Sequence, residues 1–214
     1  MNIKYLLFDL DETLYPPDTG LWPVLGTRMN TFIHTRLGIP MDKVEDLREY
    51  YFRTYGTSLR GLQNDYQVDA NEYLDFVHDV NISDFIKPDK KLNEILAMLQ
   101  GDKIIFTNAN KAHSQRVLKA LGVAQHFSRI IDVVDMDPYC KPYLQAFITA
   151  MELINDEDPS HYLLIDDSIK NVQSAQKIGM SAIHVSPVNS GECGINNIKS
   201  IYEVGIQIQL IRNG

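Results

Sequence analysis

Phe8-Asp9-Leu10-Asp11-Glu12-Thr13-Leu14 sets two carboxylates two residues apart at the end of the apolar run Tyr5-Leu6-Leu7-Phe8. The run reads as a buried strand, so Asp9 stands at its carboxyl end, where open α/β sheets bind ligands. Carboxylates taken out of water are costly unless something cationic compensates. A hard, oxygen-seeking divalent cation, magnesium first, answers that need. Asp9 can then attack an electrophile while Asp11 handles a proton. An isolated pair of this kind is equally a strand that ends in an acidic turn, so the decision rests on whether partners recur at later strand ends.

They recur. Lys103-Ile104-Ile105-Phe106 is a second apolar run and ends in Thr107-Asn108-Ala109-Asn110 ahead of a helix. His161-Tyr162-Leu163-Leu164-Ile165 is a third and ends in Asp166-Asp167-Ser168. Between them lies Lys141, in Tyr139-Cys140-Lys141-Pro142, at the expected start of a helix whose first position suits Pro142. The Thr107 hydroxyl and neighbouring N–H groups can hold phosphate oxygens at a helix mouth, although Thr-Asn before a helix is also an ordinary cap. Lys141 supplies a compact positive charge. Asp166 and Asp167 repel one another and call for a cation, unless one of them caps the next helix and the other is solvated. Asn171, one turn further on, is expected to hold a metal-bound water.

Around these strand ends the chain divides in two. Tyr15-Pro16-Pro17-Asp18-Thr19-Gly20 is a cluster of breakers. Leu25, Met29, Phe32, Ile33 and Leu37 then recur at helical spacing up to Gly38, and Leu47, Tyr50, Tyr51 and Tyr55 repeat the pattern before Gly56. Ser58–Leu62 opens a third helix and Asp69–Glu72 a fourth, with a capping-box spacing. From Ile86 onward strands and helices alternate. Helices are expected over Leu92–Leu99, Lys111–Leu121, Tyr143–Leu153 and Ile169–Ile178, and strands at Ile104–Phe106, Ile130–Val134, Tyr162–Ile165 and Ala182–Val185. Alternation of this kind gives a doubly wound α/β core with a parallel sheet. The expected core comprises residues 1–15 and 86–214, with a helical domain inserted at 16–85 and hinges near 15–20 and 82–88.

The composition fits such a domain. The 214 residues are 44% hydrophobic and 22% charged, ordinary for a globular chain. A formal charge of −8 with no basic cluster argues against binding the phosphate backbone of a nucleic-acid polymer. No apolar run approaches the ~20 residues of a membrane span, and the sequence enters its first strand directly. Cys140 and Cys193 are expected to be free thiols, and the expected location is cytoplasmic.

The order acid pair, Thr, Lys, acid pair resembles the haloacid dehalogenase superfamily, and the helical insertion resembles the subgroup with a helical cap between its first and second motifs. The resemblance implies a Rossmann-like core and magnesium-dependent phosphoryl transfer. Asp9 would be the nucleophile and form an aspartyl-phosphate. Asp11 would protonate the leaving alkoxide and then activate water, with a pKa raised by its acidic neighbours. Asp9, Asp166, Asp167 and the backbone carbonyl of Asp11 would hold Mg2+, with Thr107, Asn108 and Lys141 around the phosphate.

Four stretches are similar to the pyrimidine 5′-nucleotidase branch: Asp9–Pro16, Tyr55–Leu62, Phe76-Val77-His78 and Phe106–His113. The similarity departs at Cys140 and in the short Asp135–Pro138 connection. It implies a small phosphorylated metabolite as substrate, UMP or CMP, with Arg60 and His78 as contacts from the cap; either is equally a residue of the cap surface. The remaining histidines, His34, His113, His126, His161 and His184, show no metal-ligand spacing and are expected at the surface or at strand ends. A sugar-phosphate phosphatase or phosphomutase is the alternative on the same framework, and a non-catalytic nucleotide- or protein-binding regulator is the alternative of another class. A dehalogenase is disfavoured, since carbon–halogen displacement needs neither Asp11 nor magnesium.

Overall fold

In the computed structural model, which describes residues 2–188, 191 and 194–213, Leu6, Leu7 and Phe8 are fully buried. They belong to β1 (Tyr5–Phe8), and a strand covered on both faces is expected to be continuously apolar. After it come β2 (Asp102–Phe106), β3 (Arg129–Ile131), β4 (Tyr162–Asp166), β5 (Ser181–Val185) and β6 (Asn196–Ile198). All neighbouring pairs are parallel. The sheet order is β3-β2-β1-β4-β5-β6, which places the crevice of a doubly wound sheet between β1 and β4, where the strand order reverses. Phe8 is level with Ile105 on one side and Ile165 on the other, so the residues that follow these strands emerge side by side.

Between β1 and β2 the chain forms α1 (Leu21–Leu37), α2 (Met41–Tyr55), α3 (Ser58–Tyr66) and α4 (Ala70–His78), followed by α5 (Lys90–Met98). Helices α6 (Lys111–Leu121), α7 (Leu144–Ile154), α8 (Ile169–Lys177) and α9 (Val204–Asn213) complete the chain. Local chemistry sets the boundaries. Thr57, Asp69 and Asn110 each accept a backbone N–H three residues on, capping α3, α4 and α6. Gly61 lets α3 lie directly on α2, since a Cβ there would sit 2.1 Å from the Tyr51 ring.

Two expected elements shift. The strand expected over Ile130–Val134 stops at Ile131. Asp132 Oδ1 accepts the N–H groups of both Val134 and Asp135, and this turn overrides the strand preference of the two valines. The helix expected from Tyr143 begins at Leu144, with Tyr143 extended at ψ 136°. Pro142 therefore lies ahead of the helix and Lys141 sits in the turn before it, not on its first turn. Beyond Val185, β6 and α9 extend a series expected to close there. Cys140 is buried and free, and Cys193 lies outside the described residues. Among the described residues no helix is long and apolar enough to cross a membrane.

Candidate active site

Asp9 leaves β1 with its N–H still on the ladder, donating to Ile165 O at 2.9 Å, so its carboxylate is fixed at the sheet end. Lys141 is 1% exposed, and its Nζ donates to Asp9 Oδ1 at 2.8 Å and to Asp166 Oδ2 at 2.7 Å. Its backbone is gripped in turn. Lys141 N donates to Asn108 Oδ1 at 3.0 Å, and Asn108 Nδ2 donates to Lys141 O at 2.9 Å. One carboxamide thus occupies both polar groups of the Lys141 peptide. Asn108 was expected as a substrate contact or as an orienting group, and its side chain here positions the lysine.

Asp9, Asp166 and Asp167 present carboxylate oxygens within 4.8 Å of one another. Burial, opposed by Lys141, pushes the Asp9 carboxyl up to about 7. Burial likewise raises Asp166 despite Lys141, and burial with the adjacent Asp166 raises Asp167. Lys141 goes the other way: burial pulls the ammonium down, but Asp166 and Asp9 outweigh it and hold it above its ordinary range. One ammonium among three carboxylates leaves an excess of negative charge, and an all-oxygen donor set suits a hard divalent cation. These residues fit magnesium.

The cluster is braced from outside. Thr13 Oγ1 donates to Asp167 Oδ1 and accepts the Asp167 N–H, both at 3.0 Å. Asn171 Nδ2 donates to both oxygens of Asp166, at 2.9 and 3.0 Å. Asn171, expected to hold a metal-bound water, uses its Nδ2 to orient Asp166. Thr107 is 1% exposed, and its Oγ1 accepts the Ala109 N–H at 3.0 Å. That hydroxyl keeps its proton for an incoming oxygen.

Asp11 finds its hydrogen-bond partners outside the three carboxylates. Glu12, next in the chain, adopts φ 60°, left-handed backbone that a non-glycine residue occupies at some cost. The turn sends Asp11 Oδ1 to the Tyr15 hydroxyl at 2.6 Å and to His113 Nε2 at 2.9 Å. Burial alone pushes the Asp11 carboxyl up, but His113 and Tyr15 outweigh it and hold it below the ordinary range. The rise expected of Asp11 belongs to the substrate-bound state, in which an anionic phosphate is its neighbour. His113, expected near the surface, is fully buried. The available signal was its place three residues after the Asn110 cap, because helical side chains lean toward the helix N-terminus and α6 starts at the sheet end. His78, the last residue of α4, stacks on His113 with ring centres 4.2 Å apart and planes at 21°. Burial, with His113 second, lowers His78 to about 3.

Arg60 was expected to reach substrate. Its guanidinium instead donates to Val133 O at 2.6 Å, Tyr139 O at 2.7 Å and Gln63 Oε1 at 2.7 Å, and pairs with Asp137. It ties α3 to the loop that carries Lys141. Gly56 completes the seam, since a Cβ there would lie 3.0 Å from Cys140 Sγ and 3.1 Å from Lys141 O. Arg60→Ala should destabilise the fold by about 2–4 kcal/mol, because charge-assisted hydrogen bonds of ~1.5–3 kcal/mol each are lost non-additively. Denaturant unfolding measures this, and an unchanged midpoint with an unchanged slope would refute the clamp.

Residues 3–179 match the family described as haloacid dehalogenase-like hydrolase. The chain is 32% identical over 194 residues to Phosphate metabolism protein 8 of Saccharomyces cerevisiae, with 84% of this chain and 60% of that protein covered. It therefore spans about three-fifths of the length of that relative. Solved structures share the fold. The HAD-hydrolase YfnB of Bacillus subtilis, bound to magnesium, superposes with a TM-score of 0.65 at 18% identity, covering 98% of this chain and 100% of that one. A HAD phosphatase from Thermococcus onnurineus gives 0.61 at 20% identity, covering 96% and 98%.

Proposed function

We propose that this chain, which belongs to the haloacid dehalogenase-like hydrolases, is a magnesium-dependent phosphomonoesterase that works through an aspartyl-phosphate on Asp9. The observation that carries this reading is the Lys141 ammonium bonded to Asp9 and Asp166 in a cluster of three carboxylates at the sheet crevice. Asp9 is a carboxylate nucleophile held rigidly on its strand. Lys141 offsets charge on Asp9 as a phosphate approaches, and Thr107 offers a hydroxyl proton to a phosphate oxygen. Asp9, Asp166 and Asp167 would hold Mg2+ together with the backbone carbonyl of Asp11. The ion supplies charge stabilisation for the transferring phosphoryl group. Asp11 gives a proton to the leaving oxygen and takes one back from water. The entering phosphate, being anionic, raises Asp11 from its low resting state toward the protonated form that the first step needs.

Residues 16–85 act in this reading as a cap that selects the leaving group. The similarity of residues 55–62 and 76–78 to pyrimidine 5′-nucleotidases supports UMP and CMP as substrates. A phosphate-release screen over nucleotides and sugar phosphates tests the assignment. Sugar phosphates outranking both nucleotides in kcat/KM would replace it with the sugar-phosphate reading.

Magnesium dependence has two readouts. Excess chelator should abolish phosphate release and added Mg2+ should restore it. Independently of turnover, Mg2+ at about 100 times its Kd should add ~2.7 kcal/mol to stability by linkage, visible as a raised Tm. Full activity in chelator, or a Tm indifferent to Mg2+, contradicts the metal site.

A further inference from the structure

His113 and His78 form a buried stacked pair that nothing in the phosphate chemistry above requires. Each ring has a buried Nδ1 without a hydrogen-bond partner. Two apolar side chains in the same slot would avoid the cost of desolvating these nitrogens. The one strong polar contact of the His113 ring is Nε2 to Asp11 Oδ1 at 2.9 Å. An ionised carboxylate is acceptor only, so Nε2 carries the proton of that bond. The Tyr15 hydroxyl, at 2.6 Å, donates to the same oxygen. With both donors on Oδ1, the proton that Asp11 transfers belongs on Oδ2.

The imidazole is held from behind. Arg116, one turn along α6, donates to the carbonyls of His78 and Val80, and Asn110 Nδ2 reaches Asp75 Oδ1 at 3.5 Å. These contacts seat the end of α4 on the start of α6, and the His78 ring thereby covers His113. We propose that His113 is the positioning residue of Asp11: it pins Oδ1 so that Oδ2 faces the leaving oxygen, and the seating of α4 through His78 keeps it in place. The proposal rests on the phosphomonoesterase reading above.

The proton balance follows. As the bond from Asp9 to phosphorus forms and the ester P–O bond breaks, Oδ2–H gives its proton to the departing oxygen. In the second half, water oxygen attacks phosphorus, its proton passes to Oδ2, and the bond from phosphorus to Asp9 breaks. His113 and Tyr15 keep their protons throughout and stabilise the carboxylate formed between the two halves.

A role in aiming a proton is distinguished from a structural role by the leaving group. Benzyl phosphate and 4-nitrophenyl phosphate are alike in size, but the benzyl alkoxide must be protonated as it leaves and 4-nitrophenolate need not be. General acids contribute roughly 10²–10⁴-fold. His113→Leu, which fills the slot without a donor, should lower kcat/KM for benzyl phosphate by about 100-fold. The loss for 4-nitrophenyl phosphate should be no more than about a tenth of that. His113→Gln, which can place an N–H near the Nε2 position, should recover most of the benzyl activity. His78→Leu keeps the donor but removes the ring behind it, and should give a smaller loss of the same selectivity, a reading that stands even where His113→Leu does not fold. Equal losses on both esters in folded variants, checked by circular dichroism, overturn the positioning role. A wild-type protein that releases phosphate from neither ester overturns the phosphatase reading, and this proposal with it.

Discussion

Asp9→Asn is expected to lower kcat by on the order of 10³-fold or more, the scale seen when one member of a catalytic unit is removed, while the protein unfolds at nearly the wild-type temperature. The two halves of this expectation have separate physical causes. Turnover falls because a carboxamide is nearly isosteric with a carboxylate but lacks its nucleophilic charge. Stability holds because the Asp9 backbone stays on the ladder through Ile165 O and Lys141 keeps Asp166 as a partner. Burial already pushes the Asp9 carboxyl up to about 7, so a neutral group is readily accommodated there. Acid quenching of wild type with substrate should trap phosphate on the protein, and the variant should trap none. Beryllofluoride, an acyl-phosphate mimic, should raise the Tm of wild type and leave that of Asp9→Asn unmoved. Wild-type turnover by Asp9→Asn assigns the nucleophile elsewhere.

Why this residue could be singled out in the sequence, and others could not, is a matter of range. An apolar run that ends abruptly in charge marks the carboxyl end of a buried strand, and three such runs place Asp9, Thr107 and Asp166 next to one another once the sheet is parallel. Asn110 and Gly122 bracket α6 for equally local reasons, a side-chain cap at one end and φ 75° at the other. The features read differently in the structure depend on contacts across the chain. Val133 and Val134 favour a strand by themselves, and it is the Asp132 side chain, also accepting the Lys111 N–H at 2.7 Å, that turns the backbone. Arg60 carries no local mark of the two carbonyls that it clamps, which lie 73 and 79 residues away. His113 is separated from Asp11 by 102 residues, and its role emerges only when the direction of α6 relative to β1 is known. Asn108 was placed correctly beside the site by its motif, yet its target, the Lys141 peptide, belongs to a loop whose path the sequence does not reveal. Spacing thus locates chemistry at strand ends, whereas the groups that orient it are joined by tertiary contact.

Lys141→Met should be the most damaging change to stability among the site residues, and magnesium should undo part of it. Methionine matches the length of the lysine stem but removes the ammonium, leaving Asp9, Asp166 and Asp167 with oxygens within 4.8 Å of one another and no cation between them. Breaking a buried ion pair by removing one partner costs about 3–5 kcal/mol. For a domain of this size each kcal/mol moves Tm by ~2–4 °C, so a drop of about 6–20 °C is expected in chelator. Protonation of the carboxylates sets the lower end, because buried acids that neutralise no longer repel. Added Mg2+ should recover several degrees, since a divalent cation answers the same charge, but should not restore turnover, because the ammonium on Asp9 is missing. Lys141→Arg separates charge from shape. Asn108 fixes the backbone of residue 141, so a planar guanidinium must enter a slot built for a compact ammonium. That variant should retain more stability than Lys141→Met and still lose most activity. Calorimetric unfolding of both variants, with and without Mg2+, is the measurement. If Lys141→Met in chelator at neutral pH melts with wild type, the cluster is not balanced by this lysine, and the charge argument that leads from it to a bound cation fails at its first step.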